Sequence, residues 1–175
     1  TKVKSIPNMR TIHSMCRRVH SSYRTIELAH ILAWRCAAQG EARIDAGIAF
    51  VAYCQETNDP ISPRDFARSV HVRESKLQLQ ANRAVAACYG RIGSRMPSDY
   101  LQDFAGIRSA GRRISDVQAI VRDLILSALS LRQTAVMHPA ELALQVTRTV
   151  AMLCWTHSHW DLPAKEMEAV MELCS

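Results

Sequence analysis

Between Asp45 and Glu56 the chain reads Ala46-Gly47-Ile48-Ala49-Phe50-Val51-Ala52-Tyr53-Cys54-Gln55. A surface helix keeps a polar face opposite its apolar stripe, and this segment has almost none, so as a helix it must be enclosed by other elements on most sides. Asp45 is placed to cap its start. The apolar run is too short to span a bilayer, and the first residues lack the apolar core of a signal peptide. The segment therefore reads as the central helix of a packed unit, and the rest of the chain must supply the helices around it.

The remaining residues suit that task. Of 175 residues 48% are apolar, enough to build cores and too many for a disordered chain. Gly and Pro number six each, and no stretch alternates as a half-buried strand does, so the fold class is all-α. Start and stop signals mark about nine helices. The first is expected over Pro7 to Ser21, with Pro at the first helical position. The second runs from about Arg24 to the left-handed cap residue Gly40. After Asn58-Asp59-Pro60, the segment Ser62-Pro63-Arg64-Asp65 opens a short helix with a cap, a Pro and an acid in its first turn. A polar turn at His71 to Glu74 leads into a longer helix ending before Gly90, giving a helix-turn-helix-like pair.

Arg91 to Pro97 breaks the periodicity and reads as a linker, dividing the chain into residues 1–95 and 96–175. In the second half Ser98 starts a short helix through Phe104, followed by a basic loop from Gly106 to Arg113. Ser115-Asp116 is expected to cap a long helix with the stripe Val117, Ile120, Val121, Leu124, Leu126 and Leu129. Pro139 and Pro163 open the last two helices. The order of the first half thus recurs: Ser62-Pro63-Arg64-Asp65-Phe66 has its counterpart in Pro163-Ala164-Lys165-Glu166-Met167, about one hundred residues on.

Charge is distributed unevenly. Residues 1–95 carry 15 Lys/Arg against 7 Asp/Glu, a net +8, while residues 96–175 carry 7 against 9, a net −2, which together make the overall +6. A basic half of this kind attracts a phosphate backbone or an acidic protein surface; the plainer alternative is a solvated basic face. The six cysteines include no close pair in sequence and lie mostly among apolar neighbours, so they are expected as reduced, buried thiols of a cytosolic or nuclear protein.

Two sets of residues resemble a known family. Ala49-Phe50-Val51-Ala52-Tyr53-Cys54-Gln55-Glu56 resembles the third-helix motif of the cyclin-box repeats of the general transcription factor IIB family, and Ser62-Pro63-Arg64-Asp65-Phe66 resembles the Thr-x-x-Glu-Ile start of its fourth helix. Asp99-Tyr100-Leu101-Gln102-Asp103-Phe104 resembles the opening Tyr-x-x-x-Phe pattern of the family's second repeat, and Pro163 to Met167 resembles its second Thr-x-Lys-Glu-Ile motif. Departures are Cys54, where arginine is usual, and Thr147-Arg148-Thr149, where small apolar residues are usual. The resemblance implies two cyclin-like five-helix repeats, the second lacking its last helix, because the sequence stops at Ser175 near the end of its ninth helix. The helix with which the family reads bases is then either absent or beyond these residues, and no family base-reading residue carries over to this sequence.

It further implies a monomeric, nuclear, non-enzymatic scaffold. Its partners would be the TATA-binding protein, promoter double-stranded DNA and RNA polymerase II. Cofactors are expected to be absent here, with a zinc ribbon elsewhere in a full-length member. On this basis Arg83 is a candidate for both DNA phosphates and the partner protein. Arg91, Arg95, Arg108, Arg112 and Arg113 are candidates for phosphates, and Arg64 and Arg68 for the TATA-binding protein.

Rival readings are a kinase-activating cyclin, a related RNA polymerase III factor, and a small helical enzyme with a deep polar pocket. The sequence contains no phosphate-binding glycine loop, no HExxH and no G-x-S-x-G. Cys154, His157 and His159 have a spacing that could ligate zinc at a helix end, but a buried Cys with two surface His is the simpler expectation, as is packing for Trp34, Trp155 and Trp160.

Overall fold

The computed structural model describes residues 6–88, 95–104 and 114–156, and every regular element among them is helical. The chain separates into two compact units, Thr1–Ser94 and Arg95–Ser175. The expected last helix at Pro163 lies outside the described residues.

In the first unit the elements are α1 (Met9–Arg18), α2 (Tyr23–Ala38), α3 (Asp45–Glu56), α4 (Pro63–Ser69) and α5 (Glu74–Cys88). The helix α3 touches each of the other four, as its composition requires. Ala46, Gly47, Ile48, Ala49, Ala52 and Tyr53 are buried, and Phe50, Val51 and Cys54 are half-buried. α2 is buried along most of its length, including the polar residues Thr25, Glu27 and His30.

Several ends are set by local chemistry. Asn8 accepts from the Thr11 amide at 3.1 Å and Ser22 from the Thr25 amide at 3.2 Å, so α1 starts two residues after Pro7 and α2 one residue before Arg24. Ser62 caps α4 as expected, accepting from the Asp65 amide at 3.1 Å. Three helices end in the same way. After α2, Gly40 takes φ +82°, with Gly40 N bonded to Ala37 O and Glu41 N to Cys36 O, both at 3.0 Å, which is a Schellman motif. After α1 and α4 the left-handed position is held by His20 (φ 54°) and His71 (φ 58°), with the same pair of hydrogen bonds.

The start of α3 departs from expectation. Asp45 is the first helical residue and not the cap; the cap position is Ile44, whose side chain makes no capping bond. An acceptor comes instead from α5: Gln80 Oε1 accepts from the buried Gly47 amide at 3.2 Å. The two helices are so close there that a Cβ on Gly47 would collide with the Gln80 backbone carbonyl and lie 2.5 Å from the Ala81 nitrogen. Only glycine fits at that crossing.

Around the other end of α3 an aromatic cluster forms. Phe66 of α4, fully buried, lies 5.0 Å from the Phe50 ring and 5.4 Å from the Tyr53 ring, and the Tyr53 hydroxyl accepts from the Ile61 amide at 3.1 Å. Conversely, two cysteines far apart in sequence meet: the Cys36 and Cys88 sulfurs are 3.4 Å apart, and both thiols are buried and not joined in a disulfide. Their contact and burial push the Cys36 thiol well above its ordinary range, and burial alone raises Cys16 to about 12.

The second unit contains a 3-10 helix (Pro97–Phe104), α6 (Ile114–Leu129), a short α7 (Arg132–Ala135) and α8 (Pro139–Thr156). The segment expected to be an ordinary short helix from Ser98 is thus 3-10, and its entry is held by Asp99 Oδ2 accepting from the Met96 amide at 2.8 Å. α6 begins before Ser115, which is therefore inside the helix and not its cap. Its buried line is Val121, Ile125 and Leu129, at helical spacing of four, whereas Leu124 and Leu126 are half-buried and Ile120 is 41% exposed. α8 opens at Pro139 as expected, and Leu142, Ala143, Val146 and Val150 bury against α6 and the 3-10 helix. Thr147 and Thr149 bond back to the Ala143 and Gln145 carbonyls, which satisfies two hydroxyls inside the helix.

Candidate nucleic-acid and partner interface

The candidate cations of the first unit lie on α4 and α5. On α4, Arg64 and Arg68 are one turn apart and exposed, opposite the buried Phe66 and Ala67. On α5, the buried residues Leu77, Gln80, Ala81, Ala84 and Cys88 turn the opposite side of the helix to solvent. Arg83 is on that outer side, with 46% of its side chain exposed, and its Nη2 lies 2.5 Å from Glu41 Oε2. Glu41 is the residue immediately after Gly40, so the Schellman turn that ends α2 also aims this carboxylate at α5. A second ion pair, Arg24 Nε donating to Glu56 Oε2 at 2.7 Å, ties α2 to the end of α3.

In the second unit Arg95 is exposed and its guanidinium sits 4.6 Å from the centre of the Tyr100 ring, whose other neighbour is the His138 ring at 6.3 Å. Arg91, Arg108, Arg112 and Arg113 lie outside the described residues. Of the described arginines, Arg64, Arg68 and Arg83 belong to one helical pair and Arg95 to the other unit.

Two further cations on the same helical pair, Arg73 and Lys76, are exposed and were not among the expected site residues. The signal that finds Lys76 is spacing: Lys76 and Arg83 are seven apart, two turns, and both flank the buried Leu77-Ala84 stripe on the same side. Glu41, by contrast, is 42 residues from Arg83, and no local pattern announces their pairing.

Among the described residues no group of three or more His, Cys, Asp or Glu could hold a metal ion, and the Cys154, His157 and His159 set reaches beyond them. No described helix is long and apolar enough to cross a membrane. A cleft of about 220 Å³ lies between Pro7-Asn8, the end of α2 and the start of α3, with Glu41 and Asp45 in its lining. Burial raises the Asp45 carboxyl above its ordinary range. That volume is below the range usual for small-molecule sites.

Compared with known proteins, the chain matches no family model and no curated protein.

Proposed function

We propose that the chain is the core of a general transcription initiation factor of the IIB type, divergent in sequence, which docks on the TATA-binding protein and promoter DNA in the nucleus and connects them to RNA polymerase II. The observation that carries the reading is a sequence one: a third-helix and a fourth-helix motif in the first half are followed, in the second, by a Tyr-x-x-x-Phe opening at Asp99 to Phe104 and a fourth-helix-type segment at Pro163 to Met167. In support, α3 is enclosed by four helices, and the exposed side of α4 and α5 bears Arg64, Arg68, Arg73, Lys76 and Arg83. Those cations fit a phosphate backbone and an acidic partner surface. In this reading the cyclin-like repeats are scaffolds and perform no chemistry.

The test is a gel shift with promoter DNA, with and without the TATA-binding protein, over a salt series. Affinity gained only when both components are present supports assembly. Replacing Arg83 by Glu should weaken that ternary complex without unfolding the protein. It also breaks the pair with Glu41 and brings two carboxylates together, so Arg83→Gln, which costs less than about 1 kcal/mol of stability, is the companion variant. Unchanged binding in both removes Arg83 from the interface. One observation favours a second reading: Leu79 and Val85 on α5 are 61% and 48% exposed, as a kinase-binding cyclin would require. Indifference to both DNA and the TATA-binding protein would favour it.

A further inference from the structure

The pair α4 and α5 has the build of a helix-turn-helix. A seven-residue helix ends in a left-handed residue, His71, and a Schellman motif closes the turn through Val72 N to Ala67 O at 3.0 Å. Phe66, Ala67 and Val70 on one arm and Leu77 and Ala81 on the other bury the angle between them. This packing leaves the far side of α5 uncovered among the described residues. Its centre line is Ser75, Leu79, Asn82 and Ala86, all exposed, with Gln78 beside them and Lys76 and Arg83 along the opposite edge.

We propose that α5 lies in the major groove of duplex DNA and reads base edges through Ser75, Gln78 and Asn82, with Leu79 against a thymine methyl group. The inference rests on the DNA association proposed above and extends it, by naming a base-reading element within the first unit. The arrangement of charge argues for this occupant. The centre of the face carries amides, a hydroxyl and small or apolar side chains, the groups that match base edges, and an amide can bond adenine at two points. Arg73, Lys76 and Arg83 border it, where phosphates flank a groove. Glu74, at the start of the helix, adds an acceptor suited to the cytosine amino group. A helix of 15 residues is about 22 Å long, enough to follow the groove across a few base pairs. A protein groove would instead favour a continuous apolar stripe, and here Gln78 and Asn82 interrupt Leu79 and Val85.

The experiment is selection of random-sequence duplexes by the full chain, followed by titration of the enriched and scrambled duplexes. A short enriched motif is expected. Gln78→Ala and Asn82→Ala should each reduce preference for it about tenfold, within the range of a lost base contact, without altering affinity for scrambled DNA or the melting temperature. Lys76→Ala should weaken both duplexes equally and lower the salt dependence. Duplex binding without a motif, or a motif indifferent to both amide substitutions, overturns the inference and leaves the assembly reading in place. A motif that survives where no ternary complex forms with the TATA-binding protein supports base reading and overturns the assembly reading. Absence of any duplex binding, alone or with that protein, sinks both.

Discussion

Arg83 is held by Glu41 before it meets any partner, so Glu41→Gln should strengthen DNA binding. The Nη2 to Oε2 separation is 2.5 Å, with the side chains 46% and 26% exposed. Pairs this open to solvent are worth at most about 1 kcal/mol after screening and ordering costs. Releasing Arg83 therefore raises affinity for duplex DNA by up to about fivefold at low salt, with a stability loss below about 1 kcal/mol, because the Schellman bond of Glu41 uses its backbone and survives the substitution. The gain should shrink as the Debye length shortens toward about 8 Å at physiological ionic strength. Removing any carboxylate favours binding to a polyanion, so the decisive comparison is a double-mutant cycle. Fluorescence-anisotropy titrations of wild type, Glu41→Gln, Arg83→Ala and the double variant isolate the coupling, with Glu56→Gln as a control for bulk charge. If Glu41→Gln gains as much in the Arg83→Ala background as in the wild type, the gain is generic and Arg83 does not contact phosphate.

Other consequences concern the scaffold. Gln80→Leu keeps the volume but leaves the buried Gly47 amide without its acceptor, so denaturant unfolding should show a loss of about 1–3 kcal/mol, while Gln78→Leu on the exposed side changes stability by less than about 0.5 kcal/mol. His71→Gly relieves a left-handed residue, with an expected gain of about 0.5–1 kcal/mol; a loss would show that the imidazole makes a needed contact. Burial holds the imidazoles of His30 and His13 below their ordinary value of 6.5, with His13 and Arg17 respectively adding to the effect and the Ile26 carbonyl opposing it at His30. Below pH 6.5 the unfolded chain then binds more protons than the folded one, so stability should fall on acidification through that window and level off above it. Melting curves from pH 5 to 8 check the sign, and His30→Gln should flatten the slope.

The features readable from the sequence are those whose causes are local. An apolar segment without a polar face had to be interior, and α3 is. Ser62, Pro139 and Gly40 act within three or four residues of themselves, so the start of α4, the start of α8 and the end of α2 fall where expected. The all-helical class follows from the same signals, as does the exposure of Arg64 and Arg68, because helical spacing sets them opposite Phe66 and Ala67.

Features decided by distant parts of the chain were not readable. The acceptor at the start of α3 comes from Gln80, 33 residues on, and a capping rule restricted to neighbours selects Asp45 instead. Within α6, Leu124, Ile125 and Leu126 are equally apolar, and only the position of α8 and the 3-10 helix makes Ile125 the buried one. The meeting of Cys36 with Cys88 and of Glu41 with Arg83 has the same origin. Hydrophobic pattern and caps specify which helices form, because they act through one turn of backbone. Which side chains meet depends on how those helices return past one another, and that is a property of the packed chain alone.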